Sequence, residues 1–235
     1  MTTENQANYD ELYTRSEAFL RWPADWILRF HNMFLRERLP SGAQILDFGC
    51  GSGNNSIPFL KMGHAVTGIE VAQSSRDLVR KNLEFHCLPS DYLHNLQIVS
   101  PPIINLPYED NAFDFVLSNQ VHYYSASEDE LHGVNSEIWR VLKPGGIFFA
   151  TMMGPKNYYI SDFTRNVTQD GIHNVRIDDD KHRLAGVHED VLVCRDEDHL
   201  RELFREFDAV TVGYFDQKMF DMKSNFHWIF VGKKL

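Results

Sequence analysis

Asp47-Phe-Gly-Cys-Gly-Ser-Gly53 packs three glycines and an acid into seven residues between an apolar run and a helical pattern. Glycines in such a place allow a tight turn at positive φ and let backbone approach a ligand closely. Backbone N–H groups at the start of the following helix attract an anion, either a diphosphate or a carboxylate. Asp47 separates the two, because its charge repels a diphosphate but draws an ammonium. The spacing Gly49-x-Gly51-x-Gly53 also differs from the Gly-x-Gly-x-x-Gly of dinucleotide sites. The turn therefore suits an amino acid, with donors for its carboxylate and an acid for its amine, as a methionine moiety requires. Cys50 and Asn54 join these contacts as candidates. Glu70, with Val71 beside it, ends the next apolar run 17 residues after Gly53, where a carboxylate accepts hydrogen bonds from both hydroxyls of a ribose. An adenosine joined to an amino acid meets all of these features.

A second set of residues suits proton transfer and cation binding. Ligands of α/β sheets lie beyond the carboxyl ends of the strands, and Asn119-Gln-Val-His-Tyr-Tyr124 follows such a strand. Asn119 faces the ligand in that arrangement, and His122 has the ordinary pKa of a base working near neutrality. Tyr9, Tyr13, Trp22, Tyr123 and Tyr124 offer aromatic faces for a cation. Tyr158, Tyr159, Asp162 and Arg165 are candidates for contacts to a second substrate. His173, His182 and His188 lack metal-ligand spacing, and Asp178-Asp-Asp180 reads as a solvated loop, so no metal site is expected.

The elements that must position these residues alternate apolar runs with amphipathic stretches, the pattern of parallel strands joined by crossover helices. Strands are expected over 43–48, 65–69, 96–99, 113–118 and 146–153, with helices over 54–62 and 73–85. A further helix begins at the capping pair Ser127 and Glu130, carries Leu131, Val134, Ile138 and Leu142 on one face, and ends at Pro144-Gly-Gly146. Residues 197–207 read as a helix, and 209–215 with 226–232 as a closing antiparallel pair, their link being too short for a crossover. Residues 11–38 should form one or two helices, one starting near Pro23 and Asp25. One domain accommodates all 235 residues: a helical cap over 1–40, a cofactor-binding core over 43–153, a substrate lid over 154–193, and a closing helix and strands over 194–235.

Composition narrows the partners. A net charge of −10 repels phosphate backbones, so nucleic acid is not expected. Three cysteines without paired spacing fit a reducing cytoplasm, and the polar N-terminus with no long apolar run points away from secretion and from the membrane.

Ile45-Leu-Asp-Phe-Gly-Cys-Gly-Ser-Gly53, Gly68-Ile-Glu70, Leu106-Pro-Tyr-Glu-Asp-Asn-Ala-Phe-Asp114 and Arg140-Val-Leu-Lys-Pro-Gly-Gly146 together resemble class I S-adenosylmethionine-dependent methyltransferases, over roughly 44–151. The resemblance implies a Rossmann-like, seven-stranded, mostly parallel sheet with one antiparallel strand and helices on both faces. It also implies S-adenosylmethionine as cofactor, its methionine end near Asp47, Gly49 and Gly51 and its ribose on Glu70. Where relatives carry an acid against the adenine amine, this chain has Pro101-Pro-Ile-Ile104, so Ile103 or Ile104 and backbone are expected to hold adenine. Methyl transfer to an oxygen or nitrogen of a small metabolite follows as the expected activity. The alternatives are a non-catalytic S-adenosylmethionine-binding regulator or partner subunit, and an NAD-dependent oxidoreductase.

Overall fold

The computed structural model describes residues 3–14, 19–179, 182, 184–218, 220–221 and 223–235. Residues 15–18 of the expected N-terminal helices and Asp180 of the acidic run lie outside them. The central sheet is built from β1 (Gln44–Phe48), β2 (Ala65–Glu70), β3 (Leu96–Ile98), β4 (Phe113–Ser118), β5 (Leu142–Met153), β9 (Asp208–Asp216) and β10 (Phe226–Lys233). Their order is β3-β2-β1-β4-β5-β10-β9. β10 runs antiparallel to both neighbours, while β1 to β5 pair in parallel. The expected sheet is therefore present, and its direction of growth reverses between β1 and β4.

Alternation along the strands explains why helices cover both faces. In β5, Phe148, Ala150 and Met152 enter one core with α5 (Glu128–Val141) and α7 (Glu197–Leu203). Ile147 and Phe149 enter the opposite core with α2 (Asp25–Phe30) and α3 (Ser56–Lys61). α4 (Ser75–Phe85) joins that second side through Val79 and Leu83. Phe59, Phe115, Phe148, Phe149, Phe204 and Phe230 are fully buried, each stabilising the fold by roughly 2–3 kcal/mol relative to exposure.

The helix cap at Ser127 is formed, its Oγ accepting the Glu130 N–H at 3.1 Å. The returning arm reaches the Ala126 N–H at 3.2 Å, one residue earlier than in the usual box. α5 ends at Val141, before Pro144-Gly-Gly146. Leu142 already pairs with Phe113, and the register shifts before Ile147 meets Phe115. Pro144 and the glycines thus sit in an irregular strand start, because proline cannot donate to a ladder.

Two elements differ from the sequence expectation. The first helix, α1, runs Thr3–Thr14, mostly ahead of the expected stretch, and α2 continues into a wider π-helical turn, His31–Leu35. The segment after β5 folds as α6 (Tyr158–Phe163) and a second sheet of β6 (Thr164–Val167), β7 (Ile172–Arg176) and β8 (His188–Leu192), all antiparallel. Both of its faces contribute to the core, Ile172 opposite Leu192 on one and Val175 with Val191 on the other. Buried positions on both faces, with polar residues between them, leave no two-residue period for the sequence to show.

Candidate functional site

β1 carries Asp47 to the point where the sheet order reverses, and the glycine turn follows directly. Gly49, Gly51 and Gly53 have φ of +71°, +54° and +72°, the left-handed region that glycine enters without penalty. Gly49 also has no room for a Cβ, which would fall 2.6 Å from Val121 Cγ1. Gly68 on β2 is needed for a similar reason, since a Cβ there would meet the Tyr92 hydroxyl at 2.5 Å and the Cys50 sulfur at 3.0 Å.

The expected donors of the turn are turned into the scaffold. Gly49 and Cys50 donate to the Ile69 carbonyl at 2.8 and 3.2 Å, and Gly53 to the Cys50 carbonyl at 2.8 Å. Gly51 donates to Glu70 Oε2 at 2.9 Å, while Glu70 Oε1 accepts from Val71 at 2.7 Å and Ala72 at 3.2 Å. Glu70 is buried, which raises its pKa, while these three bonds work in the other direction. Asp47, 2% exposed, accepts the Ser56 hydroxyl at 2.5 Å. Burial pushes its carboxyl up to about 7, against the Ser56 hydrogen bond and with help from nearby Glu70. Burial likewise raises the Cys50 thiol.

Other expected cofactor contacts divide. Ile103 is buried and lines a small cavity with Phe48, Val121, His122, Tyr124 and Val134, whereas Ile104 is exposed and is not part of its lining. Asn54 holds the chain that precedes α2, its Nδ2 donating to the Trp22 carbonyl at 3.0 Å. Asn119 accepts the Trp26 indole N–H at 2.8 Å. Trp22 lies 66% exposed against Phe85 and His86 and forms no wall of the cleft.

His122, the expected base, is enclosed at 2% exposure. Its Nδ1 is 2.5 Å from Ser118 Oγ, its Nε2 is 3.2 Å from Asn135 Oδ1, and Phe48, Phe148 and Phe204 surround the ring. Burial lowers its pKa to about 3, so the ring stays neutral and both nitrogens are engaged. It is a core residue that fixes the turn after β4.

The tyrosines do converge, although around a residue the sequence did not reveal. Tyr9 and Tyr13 on α1 are 5.6 Å apart between ring centroids, and the Tyr13 hydroxyl lies 2.7 Å from where a Gly51 Cβ would be. Tyr9 Oη meets Tyr124 Oη at 2.5 Å, and Tyr124 donates to Glu189 Oε2 at 3.2 Å. Tyr123 packs against Tyr124 at 4.5 Å. Burial raises Glu189 to about 7, with hydrogen bonds from Tyr124 and Tyr9 opposing. His227, also missed, pairs with Met153 at the carboxyl end of β5. It is 1% exposed and 5.7 Å from Tyr123, and its Nε2 has no partner among the described residues. No motif announces either residue, because they reach the site through the second sheet and the antiparallel strand.

The remaining second-substrate candidates are otherwise engaged. Tyr158 and Tyr159 stack with Phe163 and His182, Asp162 pairs with Lys223, and Arg165 pairs with Asp178 at 2.8 Å. Among the described residues no cluster of three metal-ligating side chains occurs, and no helix is long and apolar enough to cross a membrane.

A family model described as a methyltransferase domain matches residues 46–150. The chain is 29% identical over 126 residues to the sterol 24-C-methyltransferase erg6 of Schizosaccharomyces pombe, covering 50% of this chain and 30% of that protein. It is 32% identical over 114 residues to the demethylmenaquinone methyltransferase of Staphylococcus saprophyticus, covering 46% and 43% of the two. The chain thus spans less than half the length of these relatives. A solved S-adenosylmethionine-dependent methyltransferase of Methanosarcina mazei shares the fold, with a TM-score of 0.66 at 21% identity over 86% of this chain and 97% of that one. The matched core, the sheet order and the glycine turn agree: residues 46–150 are similar to a methyltransferase domain, and the fold around them is that of S-adenosylmethionine-dependent methyltransferases.

Proposed function

We propose that this protein transfers a methyl group from S-adenosylmethionine to an oxygen or nitrogen of a small metabolite, in a reducing cytoplasm consistent with its unpaired Cys50, Cys87 and Cys194. The observation that carries this is Asp47: a buried carboxyl beside the positive-φ turn, at the reversal of the sheet, where nucleotide-like ligands bind. An ammonium brought against it recovers the electrostatic stabilisation that burial has removed.

The residues fit the cofactor with one rearrangement. Asp47 would hold the ammonium, the Tyr13 hydroxyl over Gly51 would donate to the carboxylate, and Ile103 would pack the adenine. Glu70 has about four acceptor sites, three of them in use. It takes both ribose hydroxyls when the Gly51 N–H lets go. When bound, the cofactor supplies a methyl already activated on a sulfonium, so placing the acceptor in line accounts for much of the catalysis. The protein's part is to orient, exclude water and take up a proton.

The sterol 24-C-methyltransferase is named for a carbon acceptor, but the family match ends at residue 150. The chain beyond it, including the second sheet, is free to select another acceptor. The charge of −10 favours a small or cationic partner over nucleic acid.

Calorimetry with S-adenosylmethionine and S-adenosylhomocysteine tests the cofactor assignment. Glu70→Gln should weaken both by about 10-fold or more, the equivalent of one charge-assisted hydrogen bond. Unchanged affinity removes Glu70 from the ribose. Incubation with labelled methyl donor and fractionated metabolites then reveals the acceptor, and binding without transfer to any fraction supports the regulator instead.

A further inference from the structure

Glu189 lies on β8, outside the family-matched core, and is half-buried where α1, the turn after β4 and the second sheet meet. The surrounding side chains offer a cation much and an anion little. Tyr124 and Tyr9 hold the carboxyl by hydroxyl contacts, while Tyr123 acts on it electrostatically. None of the described residues forms an ion pair with it. Beside the Tyr123 ring, the Nδ1 of His227 faces the Asn225 carbonyl at 3.2 Å. Nδ1 therefore carries the proton, and the unpartnered Nε2 presents a lone pair. A half-buried carboxyl, an unused ring acceptor and tyrosine faces are what an N–H-rich cation needs.

We propose that Glu189, with Tyr9, Tyr123, Tyr124 and His227, forms the acceptor site for a cationic primary or secondary amine, and that Glu189 takes the proton from its nitrogen. This rests on the methyltransferase reading above and narrows its acceptor to nitrogen. The ammonium gives one N–H proton to the Glu189 carboxylate. The lone pair so released forms the N–C bond as the methyl carbon's bond to sulfur breaks, with that electron pair remaining on sulfur. The methylated ammonium leaves, and the Glu189 proton passes to water. The chain of contacts from Gly51 through Tyr13 and Tyr9 to Tyr124 and Glu189 places this site next to the turn assigned to the methionine end. Entry requires the Tyr9–Tyr124 contact to open.

The test uses labelled S-adenosylmethionine with three probe panels: aliphatic and arylalkyl amines, phenols, and isoprenoid alkenes. Binding of the amines is measured in parallel by calorimetry in the presence of S-adenosylhomocysteine. Label is expected in the amine panel. Glu189→Gln should reduce kcat/KM for the amine by about 10²–10⁴-fold, the usual range for a lost base, while changing S-adenosylhomocysteine affinity less than about twofold. The acid limb of the wild-type pH profile, near the Glu189 pKa of about 7, should disappear in this variant. Tyr124→Phe should weaken amine binding with the melting temperature little changed. Label only in phenols or alkenes, or an unaltered pH profile in Glu189→Gln, overturns the amine site while methyl transfer stands. Cofactor binding with no label in any panel overturns both.

Discussion

His122 shows how a residue with the right chemistry is assigned by its neighbours. Its ring fills a space between three phenylalanines and satisfies Ser118 and Asn135. His122→Ala is predicted to destabilise the fold by about 3 kcal/mol, from a cavity and two stranded polar atoms. Turnover per folded molecule should stay within a few-fold of wild type, and a loss of several orders of magnitude with intact stability would restore the base role. Asp47 is predicted to link stability and binding to pH in opposite senses. Its folded pKa, about 7, lies above the unfolded carboxyl value near 4, so its stabilising contribution is complete at low pH and is lost as pH rises through about 7. The ligand-free protein should therefore melt at falling temperature from pH ~5 to ~8, a slope that Asp47→Asn reduces. Affinity for S-adenosylmethionine should rise over the same interval as the carboxylate forms. Calorimetry and thermal melts across that range measure both.

At the scale of elements, the turn after β1 and the turn after β4 are shaped to each other through Gly49 and Val121. Gly49→Ala is predicted to destabilise by about 3 kcal/mol, through overpacking and its φ of +71°. Val121→Ala in the same chain should recover part of that loss, and a double-mutant cycle with no coupling would contradict the contact. The cap of α5 is more modest, with Ser127→Ala expected to lower stability by about 1 kcal/mol in denaturant titration. Both expectations depend on local geometry that the sequence announces. Glycine spacing and a Ser-x-x-Glu pattern are short-range signals, and the structure retains both.

Across the molecule, α1 joins parts that are far apart in sequence. Gln6 donates to the Val71 carbonyl at 2.8 Å, Asp10 accepts from Ser74 at 2.9 and 2.8 Å, and Asn5 exchanges bonds with Asp190. Its apolar anchorage is small, chiefly Leu12 and Tyr13. Hydrogen exchange should therefore show α1 amides opening orders of magnitude faster than those of β1 and β4, since exchange tracks local burial. Cofactor should slow α1 exchange, because Tyr13 and Glu70 both face the occupied turn. Equal protection of α1 and the central strands would show that the helix is part of the rigid core.

The sequence by itself determined the parallel sheet, the turn between Asp47 and Gly53, and Glu70 at the end of β2. These follow from apolar runs of strand length alternating with amphipathic stretches, from glycine's freedom of φ, and from contacts within one strand-turn-helix unit. Only the tertiary structure decided what faced the turn: that Glu70 and the Ile69 carbonyl take up its N–H groups, that Ile104 and Trp22 are exposed, that His122 is core, and that Glu189 and His227 arrive beside Tyr123. Those last two come from the second sheet and the antiparallel strand, and long-range pairing is set by packing of whole elements, which leaves no motif at the residues it brings together.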